Sequence, residues 1–260
     1  EIMRVFDDEA NSYDIWYENK IGAFADIVQT QLAFSLFKPK KGMHVLDVGC
    51  GTGNFSLKLA RMGLKVTGID ISDNMLKVAE NKARAEGLII DFINMDAHDM
   101  KFEDNSFDAV ISMAVIEFIC EPEKTLKEMF RVVKKGGEIL IGTINRDSKW
   151  GELYLSKEFR ENSVFKYASL KTMDELVTLY PEKPKATGQC LFIPPDMPED
   201  KICIDTEKQL SATERGGFIC ALWVKDENES RSCKKYAYRK NLSLPYYTFW
   251  LGSSWTNEKR

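Results

Sequence analysis

The sequence predicts an α/β fold, a doubly wound and mostly parallel sheet with helices on both faces. Three observations carry that expectation. From Val45 to Ile144 short β-branched runs alternate with amphipathic stretches, the pattern of βαβ units. A glycine-rich turn follows the first run directly, where doubly wound sheets bind ligands. Helix start and stop residues sit at the junctions between runs.

Taken in order, residues 12–37 place Ile15, Ile21, Phe24, Ile27, Val28, Leu32 and Leu36 at the spacing of one helical face, predicting one or two cap helices over the ligand end of the sheet. Strands are expected over 43–48, 65–70, 89–95, 108–113 and 137–144. Ser72 can cap a helix beginning at Asp73, and Pro122 suits a first helical position, where its missing N–H has no partner to lose. Lys134-Lys135-Gly136-Gly137 reads as the close of that second helix, cations meeting the negative end of its dipole. After Asn145 comes an aromatic stretch over 150–167, then Thr172-x-x-Glu175 as a capping box for a helix to about Leu179. Pro181 and Pro184 break it, and β-like runs at 186–193 and 217–225 follow, separated by Pro-rich and acidic residues 194–215. The resulting division is 1–37 as N-terminal cap, 38–225 as the main domain with its acceptor-side segment at about 145–215, and 226–260 as an extension. That extension carries seven Lys/Arg against four acids, a net +3 on a chain of net −4, and includes Tyr246, Tyr247, Phe249 and Trp250.

Composition narrows the function. With 260 residues and 44% hydrophobic content the chain can bury a sizeable core. No apolar run approaches the roughly 18–20 residues of a membrane span. A formal charge of −4 disfavours the broad positive field that nucleic-acid proteins use, so no nucleic acid and no membrane is expected as partner. Six cysteines (Cys50, Cys120, Cys190, Cys203, Cys220 and Cys233) form no C-x2-C pair, so no metal site is expected, and reduced thiols suit a cytoplasmic protein. The start, Glu1-Ile2-Met3-Arg4, lacks the basic-then-apolar order of a secretory signal, which points the same way.

The motif that carries chemistry is Asp47-Val48-Gly49-Cys50-Gly51-Thr52-Gly53-Asn54, at the end of the first strand and opening a helix. Glycines let backbone N–H groups approach a ligand closely, and the helix presents its positive end. A dinucleotide loop needs G-x-G-x-x-G, but the third required position is Asn54 and the glycine falls one residue early. Asp70, ending the second strand, suits a ribose in either kind of site.

Val45-Leu46-Asp47-Val48-Gly49-Cys50-Gly51-Thr52-Gly53 with Gly68-Ile69-Asp70-Ile71-Ser72 resembles the class I, seven-stranded S-adenosylmethionine-dependent methyltransferases. Met95-Asp96-Ala97, Phe107-Asp108-Ala109-Val110 and Phe130-Arg131-Val132-Val133-Lys134-Lys135-Gly136-Gly137 agree, and Tyr13-Asp14-Ile15-Trp16-Tyr17 is similar to the cap of the family's small-molecule branch. The resemblance implies a sheet order 3-2-1-4-5-7-6 with the last strand antiparallel, S-adenosyl-L-methionine as methyl donor, and a small-molecule acceptor. It implies Gly49, Gly51 and Gly53 under the methionine and ribose, Asp47 toward the ammonium group, and Asp70 on the ribose hydroxyls. Ile71 and Met75 would flank adenine, Asp96 and Ala97 would meet its edge, Met113 would sit beside the sulfonium, and Tyr13 would close over the methionine end. Where many relatives have a histidine after strand four, this chain has Val115-Ile116-Glu117-Phe118.

The sulfonium methyl is already activated, so alignment of an acceptor is the main task. If the acceptor must lose a proton, Glu117 and His98 are the named candidates. Each has a plainer reading, Glu117 as a cap or solvated group and His98 as a solvated loop residue. Trp150, Tyr154, Phe159, Phe165 and Tyr167 could line an acceptor pocket or belong to the core. A non-catalytic, regulatory binder of S-adenosylmethionine or S-adenosylhomocysteine is the alternative function, and the oligomeric state is left open.

Overall fold

The computed structural model describes Phe6, Asp7, Glu9, Ala10 and residues 13–227. The basic aromatic extension lies outside the described residues from 228 onward, as does Cys233. In chain order the strands are β1 (His44–Val48), β2 (Lys65–Asp70), β3 (Ile90–Asn94), β4 (Phe107–Met113), β5 (Val133–Ile144), β6 (Ala186–Cys190) and β7 (Phe218–Val224). The α-helices are α1 (Lys20–Leu36), α2 (Asn54–Arg61), α3 (Asp73–Ala85), α4 (Pro122–Val132), α5 (Lys149–Leu155), α6 (Lys157–Glu161), α7 (Met173–Thr178) and α8 (Ile204–Leu210).

One seven-stranded sheet holds them in the order β3-β2-β1-β4-β5-β7-β6. Pairing is parallel from β3 across to β5, and β7 runs antiparallel to both β5 and β6. Because β1 lies between β2 and β4, the connections leave it in opposite directions. The carboxyl end of β1 is thus the crevice where such sheets take ligands.

The central strands are buried on both faces, and side chains alternate between two cores. Val45, Ile111, Leu140, Cys220 and Leu222 join the cluster that includes Phe24, Ala25 and Val28 of α1. Leu46, Val110, Ile139, Ile141 and Trp223 join the cluster that includes Leu126 and Met129 of α4. Local signals hold the helices where expected. The Ser72 hydroxyl accepts from the Met75 N–H at 3.1 Å, Pro122 opens α4, and Thr172 with Glu175 completes a capping box at α7.

Three expectations change. Ile15 and Ile27, read as part of the cap's apolar face, are exposed, while Gly22, Ala25 and Ala33 are buried. Small residues here let α1 approach its neighbours closely, which an apolarity pattern does not reveal. Lys134 and Lys135 do not close α4, whose last-turn cation is Arg131. They belong to β5, drawn into the sheet by a register irregularity between Phe107 and Ala109 and by Gly136 N–H donating to the Lys225 carbonyl at 2.8 Å. The run read as a strand to residue 193 ends at Cys190, because Leu191 turns to φ +64°. Among the described residues no helix is long and apolar enough to cross a membrane, and no cluster of metal-ligating side chains occurs. Cys50, Cys190 and Cys220 are buried and Cys120 and Cys203 exposed, all as free thiols.

Buried Glu207 of α8 stabilises the left-handed turn after β6. Its carboxylate accepts the Leu191 N–H at 2.6 Å and the Ile193 N–H at 3.0 Å. Glu207→Ala leaves both buried donors without their acceptor, and the expected loss of stability, measured by urea unfolding, is about 2–4 kcal/mol.

Candidate active site

Two adjoining cavities open around the carboxyl ends of β1, β2 and β4. The first, about 210 Å³, is lined by the glycine loop, the ends of β2 and β3, the segment 113–120 and parts of the cap. The second, about 260 Å³, lies between the cap, the 114–118 segment and the aromatic α5–α6 region. Phe6, Tyr13, Tyr17, Gln29, Ala114 and Phe118 line both.

Of the residues singled out from the sequence, Tyr13, Asp47, Gly49, Gly51, Asp70, Ile71, Met75, Asp96, Ala97, His98 and Met113 line the first cavity. The loop's geometry follows from its residues. A Cβ on Gly49 would lie 2.5 Å from the Val115 side chain, so only glycine lets the loop pack against the end of β4. At Gly51 a Cβ would meet no heavy atom within 4 Å. The backbone there faces open space, a gap a ligand can fill.

Gly53 stands apart from the expectation that it would pass under a ligand, for it is not among the lining residues. It caps α2 at φ +78°, and a Cβ there would meet Ala79 at 2.9 Å and the Phe92 ring at 3.1 Å. Its service is to bring α2 close to the sheet and to α3.

The Asp70 carboxylate ties the loop to β2. One oxygen accepts the Gly51 N–H and the other the Ser72 N–H, each at 2.9 Å. Burial pushes its pKa above the usual carboxylate value, against those backbone bonds. Each oxygen keeps lone-pair capacity for a further donor. Asp47 is 2% exposed, and burial lifts its carboxyl to about 6 although Ser56 donates to it at 2.6 Å. Asp96 accepts from both the backbone N–H and the Nδ1 of His98, at 2.8 and 2.7 Å. That pairing fixes the imidazole at the rim of the first cavity.

Glu117 lines the second cavity instead. It is 1% exposed, so neither capping nor solvation describes it. Its Oε2 accepts the Thr143 hydroxyl at 2.8 Å, and its Oε1 has no hydrogen-bond partner among the described residues. Burial raises its carboxyl from 4.5 to about 7, opposed by its hydrogen bonds and more weakly by the charge of Lys171. Ala114, which turns the chain from β4 toward Glu117, has φ +56°, a conformation costly for a residue with a Cβ and sited where the two cavities meet. Trp150, Tyr154, Phe159 and Phe165 wall the second cavity, with Tyr154 stacked on Phe165 at 4.1 Å, whereas Tyr167 does not line it.

Sequence reading missed the anchors of the cap. Asp14 accepts from Thr52 at 2.8 Å, Asn54 at 2.9 Å and Lys82 at 2.7 Å, joining the cap to the glycine loop and α3. Burial opposes the Asp14 charge, but these donors hold its carboxyl below the usual range. Asp7 accepts the Ser72 hydroxyl at 2.5 Å. The one sequence signal was Asn54 in place of glycine, which serves here as a donor to the cap.

A methyltransferase-domain family model matches residues 46–141. An uncharacterized protein of Methanocaldococcus jannaschii is 34% identical over 181 residues, 69% of this chain and 80% of that protein. The ubiquinone biosynthesis O-methyltransferase of Coxiella burnetii is 38% identical over 109 residues, 42% of this chain and 47% of that enzyme, so the match spans under half of its length. Among solved structures, an S-adenosylmethionine-dependent methyltransferase of Thermotoga maritima superimposes with TM-score 0.69 at 24% identity, over 87% of this chain and all of that one. The phosphoethanolamine N-methyltransferase 2 of Haemonchus contortus, in complex with S-adenosylmethionine, gives TM-score 0.62 at 21% identity, over 85% of this chain and 57% of that one. Both share its fold.

The Glu117 environment sets a pH dependence. The folded protein binds this proton more tightly than the unfolded chain, so the associated stability is complete below the unfolded value of 4.5 and is lost as pH rises through about 7. Glu117→Gln keeps an uncharged acceptor for Thr143. It is expected to leave the melting temperature nearly unchanged at acid pH and to raise stability at about pH 8, by up to about 3 kcal/mol, read from thermal melts at the two pH values.

Proposed function

The chain belongs to the class I S-adenosylmethionine-dependent methyltransferases, and we propose that it moves the methyl group of S-adenosylmethionine to a small-molecule acceptor by in-line displacement. One observation carries the proposal. A cavity bearing the glycine loop and Asp70 meets an aromatic cavity at Ala114 and Phe118, just past the end of β4, so a donor and an acceptor can face each other across a single strand end. Bound in the first cavity, S-adenosylmethionine supplies an electrophilic methyl group on a sulfonium.

The residues present fit that donor. The open space at Gly51 admits a ligand against the backbone. Asp70, already oriented by the two backbone N–H groups, would accept ribose hydroxyls on its remaining lone pairs. All of Ile71, Met75, Asp96, Ala97, Asp47 and Gly49 line the cavity; Ile71 and Met75 would offer apolar surface to adenine, Asp96 and Ala97 would meet its edge, and Asp47 with Gly49 would face the methionine part. Tyr13 and Met113 would border the sulfonium. Three carboxyls raised by burial, Asp47, Asp70 and Glu117, make the surroundings receptive to positive charge. The acceptor's work falls to the second cavity, whose apolar walls exclude water and orient a small molecule.

Of the two candidates for proton transfer, Glu117 is the better placed, since it lines the acceptor cavity. His98 lines the donor cavity, held by Asp96, and we assign it to the donor's rim.

Calorimetric titration with S-adenosylmethionine, S-adenosylhomocysteine and NAD tests the reading, with binding of the first two and none of NAD expected. Asp70→Ala is expected to weaken S-adenosylhomocysteine about 10- to 100-fold, the weight of charge-assisted hydrogen bonds lost. Unchanged affinity would remove Asp70 from the donor site.

A further inference from the structure

We infer that the acceptor is an amine on a flat apolar body, with Glu117 holding its ammonium group and then taking its proton; this rests on the methyl-transfer reading above. The first ground is an imbalance in hydrogen bonding. Glu117 is 1% exposed, its Oε2 is satisfied by Thr143, and its Oε1 lacks a donor among the described residues while the side chain lines the second cavity. A buried carboxylate oxygen without a donor is costly, and an ammonium N–H is the donor that offsets the cost most fully.

The second ground is charge. Among the described residues lining this cavity the ionisable carboxylates are Glu9 and Glu117, and there is no lysine, arginine or histidine. An acceptor bearing phosphate or carboxylate would meet the Glu117 carboxylate with no cationic side chain among the described lining residues to pair it. A cation meets a carboxylate among the aromatic residues Trp16, Trp150 and Tyr154, a residue type whose ring quadrupole attracts positive charge. A neutral alcohol could donate one hydrogen bond but gains nothing from the rings' attraction for charge. The same aromatic walls favour a flat apolar body behind the amine.

The chemistry balances. One N–H bond of the ammonium breaks, its electron pair stays on nitrogen, and the proton passes to Glu117 Oε1. In a medium of low dielectric a buried ion pair tends toward its neutral form, so the burial that raises the Glu117 carboxyl to about 7 also favours this transfer. The nitrogen lone pair then forms the new N–C bond to the methyl carbon as the S–C bond breaks, its electrons staying on sulfur. The product is a methylated ammonium, and Glu117 returns its proton to water as the product leaves.

The test uses the full chain loaded with S-adenosylhomocysteine and the matched probes phenethylamine against 2-phenylethanol and tryptamine against tryptophol. Calorimetry is expected to show each amine binding at least about tenfold more tightly than its alcohol, the weight of a charge-assisted contact over a neutral one. Glu117→Gln is expected to abolish that preference while S-adenosylhomocysteine binds as in the wild type. The groups bearing on Glu117 are its own backbone N–H and that of Ile144, the Thr143 hydroxyl, Lys171, Tyr13 and Tyr154, and Glu9 lines the same cavity. Amine affinity should therefore rise with pH through about 7 in the wild type and stay flat in the variant. Where an amine also turns over, Glu117→Gln should cut kcat/KM by about 10²- to 10⁴-fold. Amines binding no better than alcohols, or a preference that survives Glu117→Gln, overturns the inference. Failure of S-adenosylhomocysteine itself to bind overturns the methyl-transfer reading instead.

Discussion

The Asp70 carboxylate is the constraint on which the rest of the site depends. Its two oxygens take the N–H groups of Gly51 and Ser72, so one side chain at the end of β2 fixes both the glycine loop after β1 and the start of α3. The loop is also stitched to the sheet by Gly49 and Cys50, whose N–H groups both donate to the Ile69 carbonyl. Those contacts hold the loop's backbone against the sheet beneath the first cavity. Ser72 then reaches outward, its hydroxyl donating to Asp7 while accepting from the Met75 N–H. A chain of hydrogen bonds thus runs from strand end to cap.

How much of this is legible in the sequence depends on the range of the interaction. Local signals were readable because their physics is local. The glycine spacing, the Ser72 cap, Pro122 at the first turn and the Thr172 capping box each involve residues within a few positions of one another. The sheet order came from resemblance, since pattern alone gives strands and not their neighbours. Contacts between residues far apart left no trace. Asp14 meets Thr52, Asn54 and Lys82, and Glu207 meets Leu191 and Ile193, through pairings that only the folded chain creates. Gly53 adds a packing requirement that the motif does not announce. It belongs to the motif, and its glycine is required by Ala79 and Phe92 rather than by the cavity.

Glu117 was legible as a residue type and illegible as an environment. The sequence shows a carboxylate where the resemblance leads one to expect an imidazole, and its position just before a predicted helix suits a cap. The fold instead turns the chain at Ala114 through a left-handed conformation and places Glu117 in a short 3-10 segment beneath the aromatic wall. The strain at Ala114 and the unsatisfied Oε1 are two local departures from the lowest-energy arrangement, and they occur within four residues of each other. Such departures are tolerated where the surrounding structure over-determines them, and they concentrate at functional sites.

A carboxylate and an imidazole would also behave differently in this place. An imidazole accepts a proton to become a cation, and next to a sulfonium it would add charge of the same sign as the transfer proceeds. A carboxylate becomes neutral on accepting a proton, so it removes negative charge from a cavity that began with a surplus. Asp47, Asp70 and Glu117 all lie where burial disfavours their ionised forms. Each added positive charge, whether on a donor or on an acceptor, relieves that cost before the reaction begins. In the proposed reaction positive charge would gather at the junction of the two cavities, with Glu117, the group proposed to take the proton, on the acceptor's side of it.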